Sequence, residues 1–105
     1  MDQKQNTAII TLAGKKAELC FDRHARYRYG QMGGNLNALL TIPGQDYFQT
    51  IILIWAALDE QGRKTYPSAD MLVDELTEQD ERYEAVLQAA VNAGWFGKQS
   101  KKENS

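Results

Sequence analysis

Two side chains in the first quarter of the chain, Cys20 and His24, carry the functional groups that bind metal ions or act as nucleophile and base. A tetrahedral metal site needs three or four such ligands, and the 105-residue chain contains one cysteine and one histidine in all. The pair is therefore half of a metal site at most. Neither Cys20 nor any serine lies in the glycine-flanked turn that presents a catalytic nucleophile. We expect no metal and no covalent catalysis.

Paired acids and a glycine cluster are the remaining candidates for chemistry. Asp74-Glu75 and Asp80-Glu81 are neighbours in sequence, so their side chains diverge on a helix and are explained by a solvated surface. Gly30, Gly33 and Gly34 lack the preceding strand and the following Lys-Ser/Thr of a phosphate-binding loop. The sequence therefore predicts a protein that is not an enzyme and needs no cofactor.

Arginines and tyrosines alternate over residues 23–29. At helical spacing Tyr29 turns inward with Ala25, which leaves Arg23, Arg26 and Arg28 as a candidate basic patch. Such a small patch makes few phosphate contacts, and the chain as a whole has a net charge of −2. A solvated helix face is the better interpretation. The alternative hypothesis is a small nucleic-acid-associated regulator that uses this face.

The longest apolar run, Ile51–Leu58, must lie in a core, because a membrane-spanning helix needs roughly 20 such residues. Asp46 can cap a helix after the Pro43-Gly44 break, and Gly62 can end it. The sequence therefore predicts one continuous central helix from about Tyr47 to Glu60.

A β-hairpin precedes this helix. Thr7–Leu12 is rich in β-branched residues and predicts one strand, Ala13–Lys16 a turn, and Ala17–Phe21 the return strand. The other segments are short and amphipathic: a helix that Asp22 caps, a helical turn over residues 35–41, a helix that Ser68 caps, and a last helix behind a Thr77–Asp80 capping box.

Together these elements predict an α+β fold, mostly α, with an N-terminal β-hairpin packed on a small bundle of four to five helices around one buried central helix. Residues 1–96 form a single domain, and residues 97–105 form a disordered basic tail. We expect a cytoplasmic protein without a membrane partner, since no stretch is long and apolar enough to cross a bilayer.

The order of these pieces resembles one family. The hairpin ends in Phe21-Asp22, and the apolar helix carries Ile54-Trp55-Ala56-Ala57-Leu58 before a glycine turn. A Ser-Ala-Asp-Met helix opening follows at 68–71, and the last helix runs from Ala85-Val86-Leu87 to Ala93-Gly94. Over roughly residues 7–95 this order is similar to the small tail assembly chaperones encoded by long-tailed bacteriophages, prophages and gene transfer agents.

The resemblance implies a non-enzymatic protein of the bacterial host cytoplasm. Such chaperones coat the long tape-measure protein before the tail tube polymerises around it, tend to self-associate, and are absent from the finished particle. It therefore implies a protein partner, the tape-measure protein or another tail protein, and a homo-oligomer.

We expect the contact surfaces to be apolar. A two-stranded ribbon has two edges, so self-association is expected at the hairpin through Ile10, or through Ile9 if the register is the other way. Client binding is expected at apolar residues that follow the hairpin: Tyr27, Met32, Leu36, Leu39 and Leu40.

Overall fold

The structure, a computed structural model, describes residues 6–42 and 46–96. Its elements in chain order are β1 (Thr7–Leu12), β2 (Lys15–Cys20), α1 (Arg23–Gln31), α2 (Leu36–Thr41), α3 (Asp46–Ala57), α4 (Glu60–Thr65), a 3₁₀ helix (Ala69–Asp74) and α5 (Tyr83–Asn92). The antiparallel hairpin and the helices around α3 confirm the predicted α+β, mostly α, fold. The Pro43-Gly44 break and the predicted tail at 97–105 lie outside the described residues.

A two-residue turn closes the hairpin, with Leu12 opposite Lys15. Ala13 and Gly14 both adopt positive φ, 53° and 79°, which is the backbone of a type I′ turn. Because this turn is shorter than the predicted one, β2 begins at Lys15 rather than at Ala17.

The hairpin register decides which isoleucine of β1 faces the core. Ile10 is 4% exposed and packs in the core with Leu12, whereas Ile9 is 63% exposed. Alternate residues of a strand face opposite sides of the sheet, so the face that buries Leu12 also buries Ile10. The predicted outward orientation of Ile10 is therefore wrong, and Ile9 is the residue that faces outward.

Helix α3 is the buried centre of the domain, as predicted. Every residue from Gln49 to Ala57 is buried except Trp55, which is half-buried. The Trp55 indole nitrogen donates to the Tyr66 carbonyl at 2.7 Å, so the exposed edge of this ring is also fixed.

The central helix ends at Ala57, three residues before the predicted end at Glu60. Leu58 leaves the helix to form an isolated antiparallel bridge with Leu19 of β2. The Asp59 carboxylate then accepts a hydrogen bond from the Gly62 N–H and caps α4. Gly62 thus lies inside a new helix, because strand pairing by Leu58 interrupts the old one.

Helix α1 begins where predicted. The Asp22 carboxylate accepts from the Ala25 N–H at 2.9 Å, and Ala25 and Tyr29 are buried on the inner side. After the helix, Gly34 lies directly against the Tyr29 ring, where an added Cβ would be 2.5 Å from ring carbons. The close packing of the tyrosine therefore requires glycine at this position.

The predicted N-caps of the last two helices do not form as expected. Ser68 makes no side-chain capping bond, and a 3₁₀ helix follows it. Helix α5 begins at Tyr83 rather than directly after Thr77. The Asp80 carboxylate does accept from the Thr77 N–H, as in a capping box, but it also binds Arg82 ahead of the helix.

The C-terminal aromatic pair, Trp95 and Phe96, folds back onto the core. The Trp95 ring stacks edge-on against Phe21 at 5.2 Å between centroids and lies 5.9 Å from the Tyr29 ring. These contacts join the end of the described chain to the hairpin and to α1.

Candidate partner-binding surfaces

The residues predicted to bind partners do not form one surface. Tyr27 and Leu40 are 68% and 65% exposed. Tyr27 lies on the side of α1 opposite Ala25 and Tyr29, so it points away from the core on which α2 packs. The remaining four are buried in the core or packed against it: Ile10, Met32, Leu36 and Leu39.

The three arginines of the candidate basic patch also separate. Arg23 is exposed, and the Arg26 guanidinium lies 5.5 Å from the centroid of the Trp95 ring, within cation–π range. Arg28 turns inward, and its Nε donates to the Ala56 carbonyl at 2.9 Å. Burial lowers the pKa of Arg28, and the nearby Arg63 charge lowers it further. Arg28 therefore does not join a solvent-facing patch, because the open carbonyls at the end of α3 attract it.

A different set of exposed apolar side chains lies where α2 leads into α3. Leu40, Ile42 and Phe48 are 65%, 49% and 50% exposed, and we call them the apolar corner. Ile42 and Phe48 were not among the predicted contact residues. The available signal was their position on either side of Pro43-Gly44, a pair that interrupts helical patterns in a sequence.

A buried polar network holds the elements that carry the apolar corner. The Tyr29 hydroxyl donates to Gln49 Oε1 at 2.5 Å, and the Asn35 N–H donates to the same oxygen at 2.8 Å. The Asn35 side chain in turn accepts from the Asn37 and Ala38 N–H groups and caps α2. Burial raises the pKa of Tyr29, which keeps its hydroxyl a donor. The network fixes the start of α2 to both α1 and α3.

A second surface runs along the outer edge of β1. An open groove of about 770 Å³, which we call the β1 groove, lies between Ile9–Thr11 and the segment that leads into α5. Its far wall includes Asp80, Glu81 and Ala85. The wall is polar, and the exposed Ile9 gives the strand side an apolar character.

Arg82 fixes this groove wall to the hairpin. Its guanidinium donates to both carboxylate oxygens of Asp80, at 2.7 and 2.6 Å, to the Glu75 carbonyl at 2.9 Å and to the Thr11 carbonyl. The bonds from Arg82 hold the pKa of Asp80 well below its usual range, and Asp80 raises the pKa of Arg82. Burial raises the pKa of the adjacent Tyr83 to about 12.

The candidates for chemistry are not assembled into a site. Cys20 is a half-buried free thiol, and burial together with Asp22 and Glu18 raises its pKa, so it is protonated and weakly nucleophilic. His24 is exposed. Within residues 6–42 and 46–96, no three His, Cys, Asp or Glu side chains are placed to hold a metal ion. In the same ranges no helix is long and apolar enough to cross a membrane.

The sequence and structure were compared with known protein families, curated proteins and solved structures. The chain matches no family model, no curated protein and no solved structure.

Proposed function

We propose that this protein is a non-enzymatic tail assembly chaperone of a phage, prophage or gene transfer agent. It holds the tape-measure protein in the host cytoplasm until the tail tube polymerises. The order of hairpin, apolar helix and short C-terminal helices supports the proposal through the family resemblance.

The apolar corner is the observation that carries the proposal. Its three large apolar side chains follow one another closely in the chain, from the end of α2 to the start of α3, and are 65%, 49% and 50% exposed. Exposed apolar groups that lie together, rather than singly, are typical of sites that bind other proteins. The tape-measure client is a long helical protein, and the apolar stripe of a helix suits such a surface.

Co-expression with the tape-measure candidate, followed by affinity capture of this protein, tests the proposal. We expect Ile42→Ser and Leu40→Ser to retain the fold and to weaken capture by roughly tenfold each, since each removes on the order of 1–2 kcal/mol of apolar burial. Val73→Ser is the matched control, because Val73 is 47% exposed on the 3₁₀ helix and lies outside the apolar corner.

A wild-type protein that captures no tail protein would contradict the proposed function. Capture that Ile42→Ser and Val73→Ser reduce equally would assign the client to a surface other than the apolar corner.

A further inference from the structure

The break between α3 and α4 is short and lies in a helix-forming stretch of sequence. Only Leu58 and Asp59 separate the two helices, and residues 56–61 contain neither glycine nor proline. The Leu58 N–H still donates to the Ile54 carbonyl at 3.1 Å, so the chain is helical up to this residue. At Asp59, φ is −73°, close to the helical value, but ψ is 179°. The break therefore departs from a helix at the ψ angle of Asp59.

Contacts with β2 hold this break in place. Leu58 forms its bridge with Leu19, and the Asp59 N–H donates to the Glu18 carbonyl at 3.2 Å. The Asp59 carboxylate then accepts from the Gly62 N–H at 2.8 Å and caps α4. Chain that would otherwise continue the central helix is thus bonded to the outer edge of β2.

Two arginines replace the helix hydrogen bonds that the break removes. In a continuous helix, the Ala56 and Leu58 carbonyls would accept from the N–H groups four residues later. Instead, Arg28 Nε donates to the Ala56 carbonyl at 2.9 Å, and Arg63 Nε donates to the Leu58 carbonyl at 3.2 Å. These carbonyls are therefore paired in the broken arrangement and would also be paired in a continuous helix.

Helix α4 is held loosely after the break. No residue of α4, which the structure describes in full, is buried, and a cavity of about 380 Å³ lies between this helix and the turn end of the hairpin. Beyond α4, the Tyr66 carbonyl accepts from the Trp55 indole N–H at 2.7 Å. Since this bond holds Tyr66 beside α3, α4 folds back along the helix that it would otherwise extend.

Gly62 is needed by the folded-back arrangement alone. An added Cβ would lie 2.9 Å from Leu58 Cδ2 and 3.2 Å from both Leu58 Cβ and the Asp59 carboxylate. Leu58 is 1% exposed, so its side chain has little room to move. In a continuous helix, Cβ atoms four residues apart are separated by about 5–6 Å. Glycine therefore fits both arrangements, whereas alanine fits only the continuous helix.

We propose that the Leu58-Asp59 junction is a hinge between two states of the protein. In the closed state, α4 folds back against the outer edge of β2. In the open state, residues 46–65 form one helix, and the Glu18 carbonyl and the cavity under α4 are exposed. Rotation about the ψ angle of Asp59 interconverts the states, and Leu58 stays buried because its N–H bond within α3 is kept. Helix α4 is thus a cover for the β2 edge that lifts without unfolding the core.

The distance between two spin labels distinguishes the states. In a Cys20→Ser background, labels at Asp46→Cys and Lys64→Cys lie about 27 Å apart along a continuous helix. They lie much closer in the closed state, because Tyr66 is held beside Trp55. We expect the protein without further substitution to be mostly closed.

Gly62→Ala should raise the ratio of open to closed molecules at least about fivefold, because the added methyl overpacks only the closed state. Gly30→Ala is the matched control, since an added Cβ at this position in α1 meets no described atom within 4 Å, and it should leave the ratio unchanged. Asp59→Ala tests the hinge without a new methyl at position 62. It removes the cap of α4 and should raise the ratio about fivefold.

Relaxation-dispersion NMR measures the same equilibrium on the unlabelled protein when the open state is minor. We expect exchange at residues 58–65, with helical Cα shifts for Asp59 in the minor state. A ratio that neither Gly62→Ala nor Asp59→Ala changes, or a minor state with random-coil shifts, would overturn the proposal. The hinge does not rest on the proposed function, because both measurements use the protein without a client.

Discussion

Replacing Gln49 by leucine tests the polar network beneath the apolar corner. The leucine keeps the side-chain volume but removes the oxygen that Tyr29 and the Asn35 N–H share. The Asn35 N–H keeps a longer bond to the Tyr29 hydroxyl, at 3.1 Å, whereas the buried Tyr29 O–H loses its acceptor. An unpaired buried donor costs about 1–3 kcal/mol beyond the lost bond. We therefore expect Gln49→Leu to lower the free energy of unfolding by about 2–3 kcal/mol.

Tyr29→Phe removes the same hydrogen bond from its other side but should cost only about 1 kcal/mol, because Gln49 Oε1 and the Asn35 N–H remain paired with each other. The double variant should be about as stable as Gln49→Leu alone, because it exchanges one unpaired donor for another: the tyrosine hydroxyl is gone, but the Asn35 N–H loses both of its acceptors.

Urea denaturation followed by circular dichroism measures all three variants, and thermal melting should place Gln49→Leu about 10 °C below the wild type. Equal losses for the two single variants, or strictly additive losses in the double variant, would refute the proposed sharing of one oxygen.

Three further substitutions have defined outcomes. Ala13→Asn should raise the free energy of unfolding by about 0.5–1 kcal/mol in urea titrations, because asparagine tolerates the positive φ that strains alanine. Gly34→Ala should lower the melting temperature by several degrees, since its Cβ meets the Tyr29 ring; an unchanged melt would contradict that contact. Because Arg82 lowers the pKa of Asp80 in the folded state, the charged Asp80 carboxylate stabilises the fold fully above about pH 4. This stabilisation is lost as pH falls through the folded-state pKa. Melting temperatures of the wild type and Asp80→Asn should therefore begin to approach each other below about pH 4 and grow closer as pH falls further, and a constant difference from pH 7 to 2 would refute the Arg82 pairing.

Local signals predicted most of the architecture. Asp22 caps α1 because its carboxylate needs a partner only three residues away, and the apolar run of α3 is long enough to identify a core helix wherever it packs. The end of this helix could not be predicted, because Leu58 leaves it to pair with Leu19, a contact between residues distant in sequence.

The surfaces were less predictable than the core for the same reason. The choice between Ile9 and Ile10 depends on one residue of register, which the tight Ala13-Gly14 turn sets. Arg28 was expected to face water, yet it contacts a carbonyl 28 residues away. Residue types indicated which side chains could bind a partner, but tertiary contacts determine which of them are exposed.

The bond from Arg82 to Thr11 spans 71 positions of the chain, and this long span has a consequence for synthesis. The hairpin leaves the ribosome early, but α5 and Trp95, which close over β1 and Phe21, are made last. At about 5–20 residues per second, β1 waits roughly 4–14 s for the contacts that α5 supplies. During that interval the hairpin lacks the contacts of α5, so premature association of the nascent chain is favoured before this helix emerges.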